Sequence, residues 1–316
     1  MTIKLAMLMD PIENIDRLHD SSFLIYLAAQ RIGWQLFYFQ QQDLFIDNGI
    51  VQAKSQEITV YDMEKYYSPG TQTIKPLSDF DLVLMRKDPP FNIEYIYTTY
   101  LLELAEQQGT KVFNRPQSLR DANEKMFTLW FPDLCPKTLV SSDKEIIKHF
   151  WRQQKEIILK PLDGMGGRGI FYARKDELNI NSIIETLTQQ GRVPIMVQEY
   201  LPEIISDGDH RIIVVDGEPA SHVLVRKPAN EDVRGNMIAN ASITIVPLTA
   251  QEKKLCAQIA PVLKEKGLLF VGLDVIGGKI TEINVTSPTG AQEINRGTNL
   301  DIGSQVIDAL IKKLRL

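Results

Sequence analysis

The 316-residue sequence is 44% apolar and 24% charged, and at about 150 residues per domain its length suggests roughly two or three domains with packed cores, excluding disordered, collagen-like and coiled-coil classes. A net charge of -5, from 35 basic and 40 acidic residues, gains nothing overall from a phosphate backbone, so no nucleic-acid partner is expected. The two cysteines, Cys135 and Cys256, belong to no C-x-x-C pair, which excludes a disulfide scaffold and a four-cysteine zinc site and fits a reducing cytosol.

The first residues carry one lysine and a short apolar run that stops at Asp10-Pro11, too short for a secretory signal. No stretch approaches the roughly 20 apolar residues that span a bilayer, so a cytoplasmic chain without a membrane partner is expected. Residues 3–9 read as a strand, 21–32 as a helix closed by Gly33, 34–39 as a second strand, 80–85 as a third, and 94–108 as a helix capped by Gly109. Strand–helix–strand order predicts a parallel sheet with helices on its faces, and its strand ends carry Asp10, Arg86, Lys87 and Asp88, where such sheets place ligands.

Beyond residue 120 the pattern changes to paired strands. Strands are expected over 156–160, 169–173, 195–201, 210–215, 221–226, 243–246, 269–276 and 279–284, and helices over 143–154, 180–190, 250–266 and 301–314. The polar, aperiodic segment 227–241 reads as a mobile lid. Three regions follow: 1–122, 123–201 and 202–316.

Gly164-Met165-Gly166-Gly167-Arg168-Gly169 matches G-x-G-x-x-G, but an apolar, aromatic strand follows where a dinucleotide fold needs a helix, and no G-K-[ST] follows for a P-loop. What remains is a strand–glycine loop–strand hairpin with Lys160 at the end of its first strand. Its bare N–H groups suit a triphosphate; the alternative is an ordinary flexible turn. A second hairpin turns at Gly277-Gly278. With a three-residue loop, Ile276 pairs with Ile280 and Asp274 with Glu282, and period-2 geometry adds Asn284 to the face of Glu282. Opposed carboxylates destabilise a sheet unless a cation lies between them, and hard oxygens suit Mg²⁺; the alternative is a solvated acidic strip.

Lys125 lies in a helical stretch, where a lysine is by default solvated. Arg86, Arg211, Arg226 and Arg234 fall at strand ends or in the lid, a pattern suited to a substrate with several carboxylates. The four histidines form no ligand pair, both cysteines suit burial as small hydrophobes, and no G-x-S-x-G elbow is present.

The runs Leu84-Met85-Arg86-Lys87-Asp88-Pro89-Pro90-Phe91, Asn123-Glu124-Lys125, Leu159-Lys160-Pro161-Leu162-Asp163-Gly164 and Thr281-Glu282-Ile283-Asn284-Val285-Thr286-Ser287-Pro288-Thr289 resemble the bacterial glutathione synthetases of the ATP-grasp superfamily, over nearly the whole chain. The resemblance implies an α/β and α+β architecture: an ATP-grasp fold of two α+β units clamping ATP, at 123–201 and 202–316, preceded by an N-terminal α/β parallel-sheet substrate domain. It implies Lys125 and Lys160 on ATP phosphates, Gly164, Gly166 and Gly167 over them, Gln198, Glu199, Tyr200 and Leu201 as the adenine hinge, and Asp209 on the ribose side. It further implies Asp274, Glu282 and Asn284 as ligands of Mg²⁺ or Mn²⁺. Arg86, Ser287, Pro288 and Thr289 would hold γ-glutamylcysteine, with Arg211, Arg226 and Arg234 as catalytic groups.

The expected activity is ATP-dependent joining of γ-glutamylcysteine to glycine through an acyl phosphate, in a homo-oligomer, which the family suggests is a tetramer. Two departures bear on the acceptor amine. Residues 237–244 replace the family's glycine-rich basic lid run, and Gly290-Ala291-Gln292-Glu293-Ile294 differs from the family pattern. A ligase with another amine acceptor, and a nucleotide-binding paralogue with little activity, are the alternatives.

Overall fold

A computed structural model describes residues 2–228 and 242–314. The first sheet contains β1 (Lys4–Leu8), β2 (Gln35–Phe39), β3 (Leu44–Asp47), β4 (Ile50–Val60), β5 (Tyr67–Pro76), β6 (Leu82–Met85) and β7 (Lys111–Phe113). Its order is β3-β4-β2-β1-β6-β7, with β5 paired to β4. Strands β2, β1, β6 and β7 run parallel, whereas β3, β4 and β5 form an antiparallel extension that the parallel-sheet reading lacked. Helix α1 (Ser21–Arg31) crosses from β1 towards β2, its first turn capped by Asp20 accepting from Phe23 N. Helix α2 (Ile93–Gln107) connects β6 to β7 and is capped in the same way by Asn92. Because β1 has β2 on one side and β6 on the other, its carboxyl end is a topological switch point. Asp10 and the 86–88 loop sit there. Helix α3 (Pro116–Asp121) follows β7.

The second sheet has order β10-β9-β11-β8, from β8 (Thr138–Ser141), β9 (Ile157–Pro161), β10 (Phe171–Ala173) and β11 (Ile195–Glu199). Helices α4 (Lys144–Gln154) and α5 (Ile180–Leu187) cover one face and close a small core of Ile147, Ile157, Leu159, Ile184 and Val197. The third sheet follows the short helix α6 (Glu203–Ser206) and contains β12 (Asp209–Val215), β13 (Glu218–Pro219), β14 (His222–Lys227), β15 (Ser242–Pro247), β16 (Phe270–Ile276) and β17 (Lys279–Asn284). Its order is β15-β14-β12-β16-β17, and β13 pairs with β12. Helices α7 (Ala250–Glu265), α8 (Ala291–Gly297) and α9 (Ile302–Leu314) complete the chain.

Alternate residues of β12 and β16 pack into two cores shared with the first sheet: Ile212, Val214, Val271 and Leu273 join Ala6, Leu8 and Val83, while Ile213, Val215 and Phe270 join Leu5, Met7 and Leu82. The second sheet has a core of its own. Cys135 and Cys256 are both buried and free, as expected. No helix among the described residues is long and apolar enough to cross a membrane.

Candidate active site

A cleft of about 360 Å³ lies between the second and third sheets and is closed at one end by Asp88 and the 286–289 loop. On one side stands the glycine hairpin. Strands β9 and β10 pair antiparallel as expected, and Gly166 and Gly167 take φ of 61° and 73°, a region that side-chain-bearing residues disfavour. Ile158, Ile170, Leu201, Ile204 and Ile276 give the cleft an apolar wall, and Tyr200 stacks on Tyr172 with ring centroids 4.5 Å apart. In the expected hinge, Gln198 is buried with its Nε2 donating to Thr138 Oγ1 at 3.2 Å, and Glu199 Oε1 accepts from Lys137 N at 3.0 Å. These side chains hold β8 and β11 together, and Tyr200 and Leu201 follow directly along the cleft wall.

Opposite stands the carboxylate hairpin. Asp274 pairs with Glu282, and Gly272 with Asn284, so the two carboxylates and the amide share a face as predicted. The turn differs. Ile276 pairs with Lys279 and Val275 with Ile280, a two-residue Gly277-Gly278 loop, and a bulge at Thr281 restores the Asp274–Glu282 pair. The bulge lets Ile280 and Ile283, an odd number of residues apart, both reach the core while Glu282 faces the cleft. Thr281 Oγ1 donates to Asp274 O at 3.2 Å, fixing it.

Four cations meet these carboxylates. Lys160 is buried, its Nζ 3.9 Å from Glu282 Oε1, and burial lowers its pKa. Lys125 is buried as well, which corrects the solvated default. Its Nζ contacts Glu124 Oε1, donates to Gly164 O at 2.7 Å and lies 3.8 Å from Glu282. Burial would lower its pKa, but Glu282 and Glu124 outweigh that and raise it. Arg211 grips Asp274 bidentately, Nε to Oδ1 at 2.5 Å and Nη2 to Oδ2 at 3.0 Å, while its Nη1 donates to Thr289 O at 3.0 Å. Arg226 Nη2 binds Asp209 Oδ2 and lies 3.0 Å from Asp274 Oδ1. Burial opposes ionisation of Asp274, but the two guanidiniums overcome it and hold the carboxyl far below its ordinary range. Asp209 is pushed up to about 6, by burial first. Among the described residues, Asp209 Oδ1 and Arg226 Nε are buried without a partner, two polar atoms beside a cleft that a ligand can satisfy.

Arg86 is not on the cleft surface. It stands behind the 286–289 loop, with Nε donating to Ser22 Oγ at 3.0 Å, Nη1 to Thr286 O at 3.4 Å and Nη2 to Pro288 O at 3.2 Å. The expected direct hold on substrate therefore becomes a hold on the loop that carries Ser287, Pro288 and Thr289, all three of which line the cleft. Of the two departures from the family pattern, the second lies away from the cleft. Gln292 Nε2 donates to Arg17 O and Asp20 O, and Glu293 contacts His19, so these residues fasten α8 to the 16–20 loop. Arg234 and lid residues 229–241 lie outside the described residues. Glu124, Thr286 and the isoleucine wall were not among the expected site residues. Only the adjacency of Glu124 to Lys125 in sequence signals it.

Two family models cover this chain. That of the prokaryotic glutathione synthetase N-terminal domain matches residues 3–120, and that of the prokaryotic glutathione synthetase ATP-grasp domain matches residues 124–299. The chain belongs to the prokaryotic glutathione synthetase family. A glutathione synthetase of Pseudomonas putida is 49% identical over 316 residues, covering 100% of this chain and 99% of that protein. One from Escherichia coli is 49% identical over 314 residues, covering 99% of each. Among solved structures, a D-cycloserine synthetase superposes with a TM-score of 0.69 at 14% identity, covering 98% of this chain and 99% of that one. An ATP-grasp ligase complexed with a phosphomimetic variant of a minimal precursor, Mg and ADP gives 0.65 at 18%, covering 99% of each chain. At such identities these two establish the ATP-grasp fold alone. The glutathione synthetase family assignment makes the chain an ATP-dependent ligase.

Proposed function

We propose that the cleft performs the glutathione synthetase reaction: the cysteinyl carboxylate of γ-glutamylcysteine takes the γ-phosphoryl group of ATP, and the amine of glycine displaces phosphate from the acyl phosphate, leaving glutathione, ADP and phosphate. The observation that carries this reading is the convergence, in one cleft, of a glycine hairpin with Lys160, an oxygen-bearing face of Asp274, Glu282 and Asn284, and the Arg211–Arg226 pair. The division at 122 and 201 into a substrate domain and two clamping units belongs to the same proposal, as does a cytoplasmic homo-oligomer.

Residues 164–167 and Lys160 receive the triphosphate, since bare N–H groups and a buried ammonium favour negative charge there. Lys125 braces that loop through Gly164 O. Asp274, Glu282 and Asn284 form a donor set of hard oxygens. Among the described residues no group of three His, Cys, Asp or Glu side chains is placed to hold a metal ion; the proposed set has two carboxylates, and its third oxygen is the amide of Asn284. Asn284 Nδ2 already donates to Gly272 O and Asp274 Oδ2, both at 3.3 Å, which leaves that oxygen as its acceptor atom. These three residues would hold Mg²⁺, which offsets charge on a transferring phosphoryl group. All three types of guanidinium nitrogen of Arg211 are engaged, so Arg211 acts as the brace between Asp274 and Thr289. Arg226, with Nε unpartnered among the described residues, is the donor for the oxyanion of the tetrahedral intermediate.

ADP release from ATP and Mg²⁺, measured with γ-glutamylcysteine in the presence and absence of glycine, tests the reading; glutathione should appear by mass spectrometry only with both. Replacing Glu282 with Gln should cut turnover by about two orders of magnitude or more, the scale set by loss of one electrostatic stabiliser. Glycine-dependent ADP release unchanged in that variant would remove Glu282 from the metal assignment.

A further inference from the structure

Six acidic side chains line the cleft, and five have a cationic partner. Glu124 contacts Lys125, Glu199 lies 3.6 Å from Lys137, Asp209 is held by Arg226, Asp274 by Arg211 and Arg226, and Glu282 by Lys125 and Lys160. Asp88 is the exception: among the described residues its carboxylate forms no ion pair. The two cations beside it in sequence are occupied elsewhere. Arg86 points away into the Ser22, Thr286 and Pro288 contacts. Lys87 Nζ is shared between Asp10 Oδ1 at 2.7 Å and the backbone oxygen of Asp88 at 2.8 Å.

The loop is nonetheless built to present this carboxylate. Asp10 Oδ2 accepts from Asp88 N at 2.9 Å and its Oδ1 holds the Lys87 ammonium that donates to Asp88 O, so Asp10 fixes the Asp88 backbone directly and through Lys87 at the switch point of the first sheet. Ser287 faces Asp88 across the same end of the cleft, near enough to favour the charged form of its carboxylate. Water reaches Asp88 through the cleft mouth, while the surrounding walls desolvate it enough to raise its pKa.

Asp88 is exposed and can be satisfied by water, but a carboxylate fixed at the cleft lining and free of any ion pair among the described residues is placed to receive a cation from the ligand. ATP brings none. Both amino-acid substrates do: the acceptor carries an ammonium at the attacking nitrogen, and the γ-glutamyl donor carries one on its α-carbon. We propose that Asp88 binds the primary ammonium of an amino-acid substrate, with Ser287 orienting its carboxylate; this rests on the ligase reading given above. Where the ammonium is the acceptor's, Asp88 is also the group next to the proton that must leave nitrogen before the C–N bond forms.

The test is Asp88→Asn, which keeps shape and the backbone contact to Asp10 and removes the charge. Loss of a charged hydrogen bond predicts a rise of about 10- to 100-fold in KM for one amino-acid substrate, with KM for ATP changed by less than about threefold. A rise confined to glycine assigns the acceptor ammonium. A rise confined to γ-glutamylcysteine assigns the donor's, and wild-type protein should then reject a donor lacking the α-amino group while the variant treats both donors alike. Asp88→Glu, which keeps the charge, should recover part of the loss. Both amino-acid KM values unchanged in Asp88→Asn, or a loss shared equally with ATP, overturns the proposal. Calorimetric binding of each amino-acid substrate to protein loaded with a non-hydrolysable ATP analogue gives the same comparison without turnover. Failure of the ligase reading itself shows separately, as absence of glutathione from the wild-type reaction.

Discussion

Gly272 sits opposite Asn284 on β16, where the 286–289 loop folds back over the strand. A Cβ added there would meet Pro288 Cβ at 2.8 Å and Arg211 Cδ at 3.2 Å. Ordinary carbon–carbon contact is about 3.5–4.0 Å, so Gly272→Ala demands a displacement of roughly 0.7 Å or more from a proline ring or from the core of an ion pair, neither of them a flexible tip. Overpacking of this kind costs about 1–3 kcal/mol. The stability effect is thus modest, a fall in Tm of roughly 2–5 °C for a chain of this size. Activity should suffer more, because the atoms pushed are the ones that place Ser287, Thr289 and Arg211. A misplacement near 1 Å can cost about 100-fold, so kcat/KM for γ-glutamylcysteine should fall by about 10- to 100-fold. The apolar wall of Ile158, Ile170 and Tyr200, on the glycine-hairpin side of the cleft, is untouched, so ATP binding should be preserved. Steady-state kinetics in each substrate, with a thermal melt, decides it. A Gly272→Ala enzyme with wild-type kcat/KM for the donor would show that the loop accommodates a methyl group and that its close packing on β16 does not position the site.

Asp274→Asn should leave Arg211 and Arg226 buried with half their counter-charge gone; breaking such a network costs about 3–5 kcal/mol, and a melt within about 1 °C of wild type would refute the account. His210 Nδ1 lies 2.6 Å from Glu252 Oε1, a contact that raises the histidine pKa and lowers that of Glu252 despite burial. The histidine contribution is therefore complete below its unfolded pKa of 6.5 and is lost as pH rises through the higher folded value. The Glu252 contribution is complete above 4.5 and lost as pH falls through its depressed one. Tm measured across this range should decline above pH 6.5 more steeply in wild type than in Glu252→Gln, and parallel profiles would remove the pair as the cause. The same variant also weakens the α7 capping box with Thr249, a loss of about 1 kcal/mol at every pH.

What the sequence conveyed depended on how local the determining interactions are. The parallel strands of the first sheet announce themselves as apolar runs because both faces are buried: β1 and β6 have fully buried side chains at almost every position. Strands β4 and β5 gave no such signal. The inner face of β4 uses Ala53 and Ser55 beside Val51 and Ile58, and β5, with Pro69 and Gly70, has no fully buried residue and is held by its pairing with β4. Their pattern becomes intelligible only once the partner strand is known.

The site divides along the same line. The carboxylate hairpin is a local structure, and its Asp274–Glu282 pair was legible even though two features of it were not. A tighter turn and a one-residue bulge compensate each other, because the burial of Ile280 and Ile283 together with an outward Glu282 cannot be satisfied by strict alternation. Charge pairing is non-local. Lys125 reads as a surface lysine until Glu282, far along the chain, and the carbonyl of Gly164 are brought to it. Arg86 reads as a substrate ligand until the Pro288 carbonyl arrives behind the loop. Residue type and strand position therefore picked out Lys160, Arg211, Arg226, Asp274 and Glu282 as cleft charges, but missed Glu124 and misplaced Arg86. How these charges are paired with each other, and that Asp209 Oδ1 and Arg226 Nε are buried without a partner among the described residues while Asp88 forms no ion pair, is decided by contacts that only the folded chain makes.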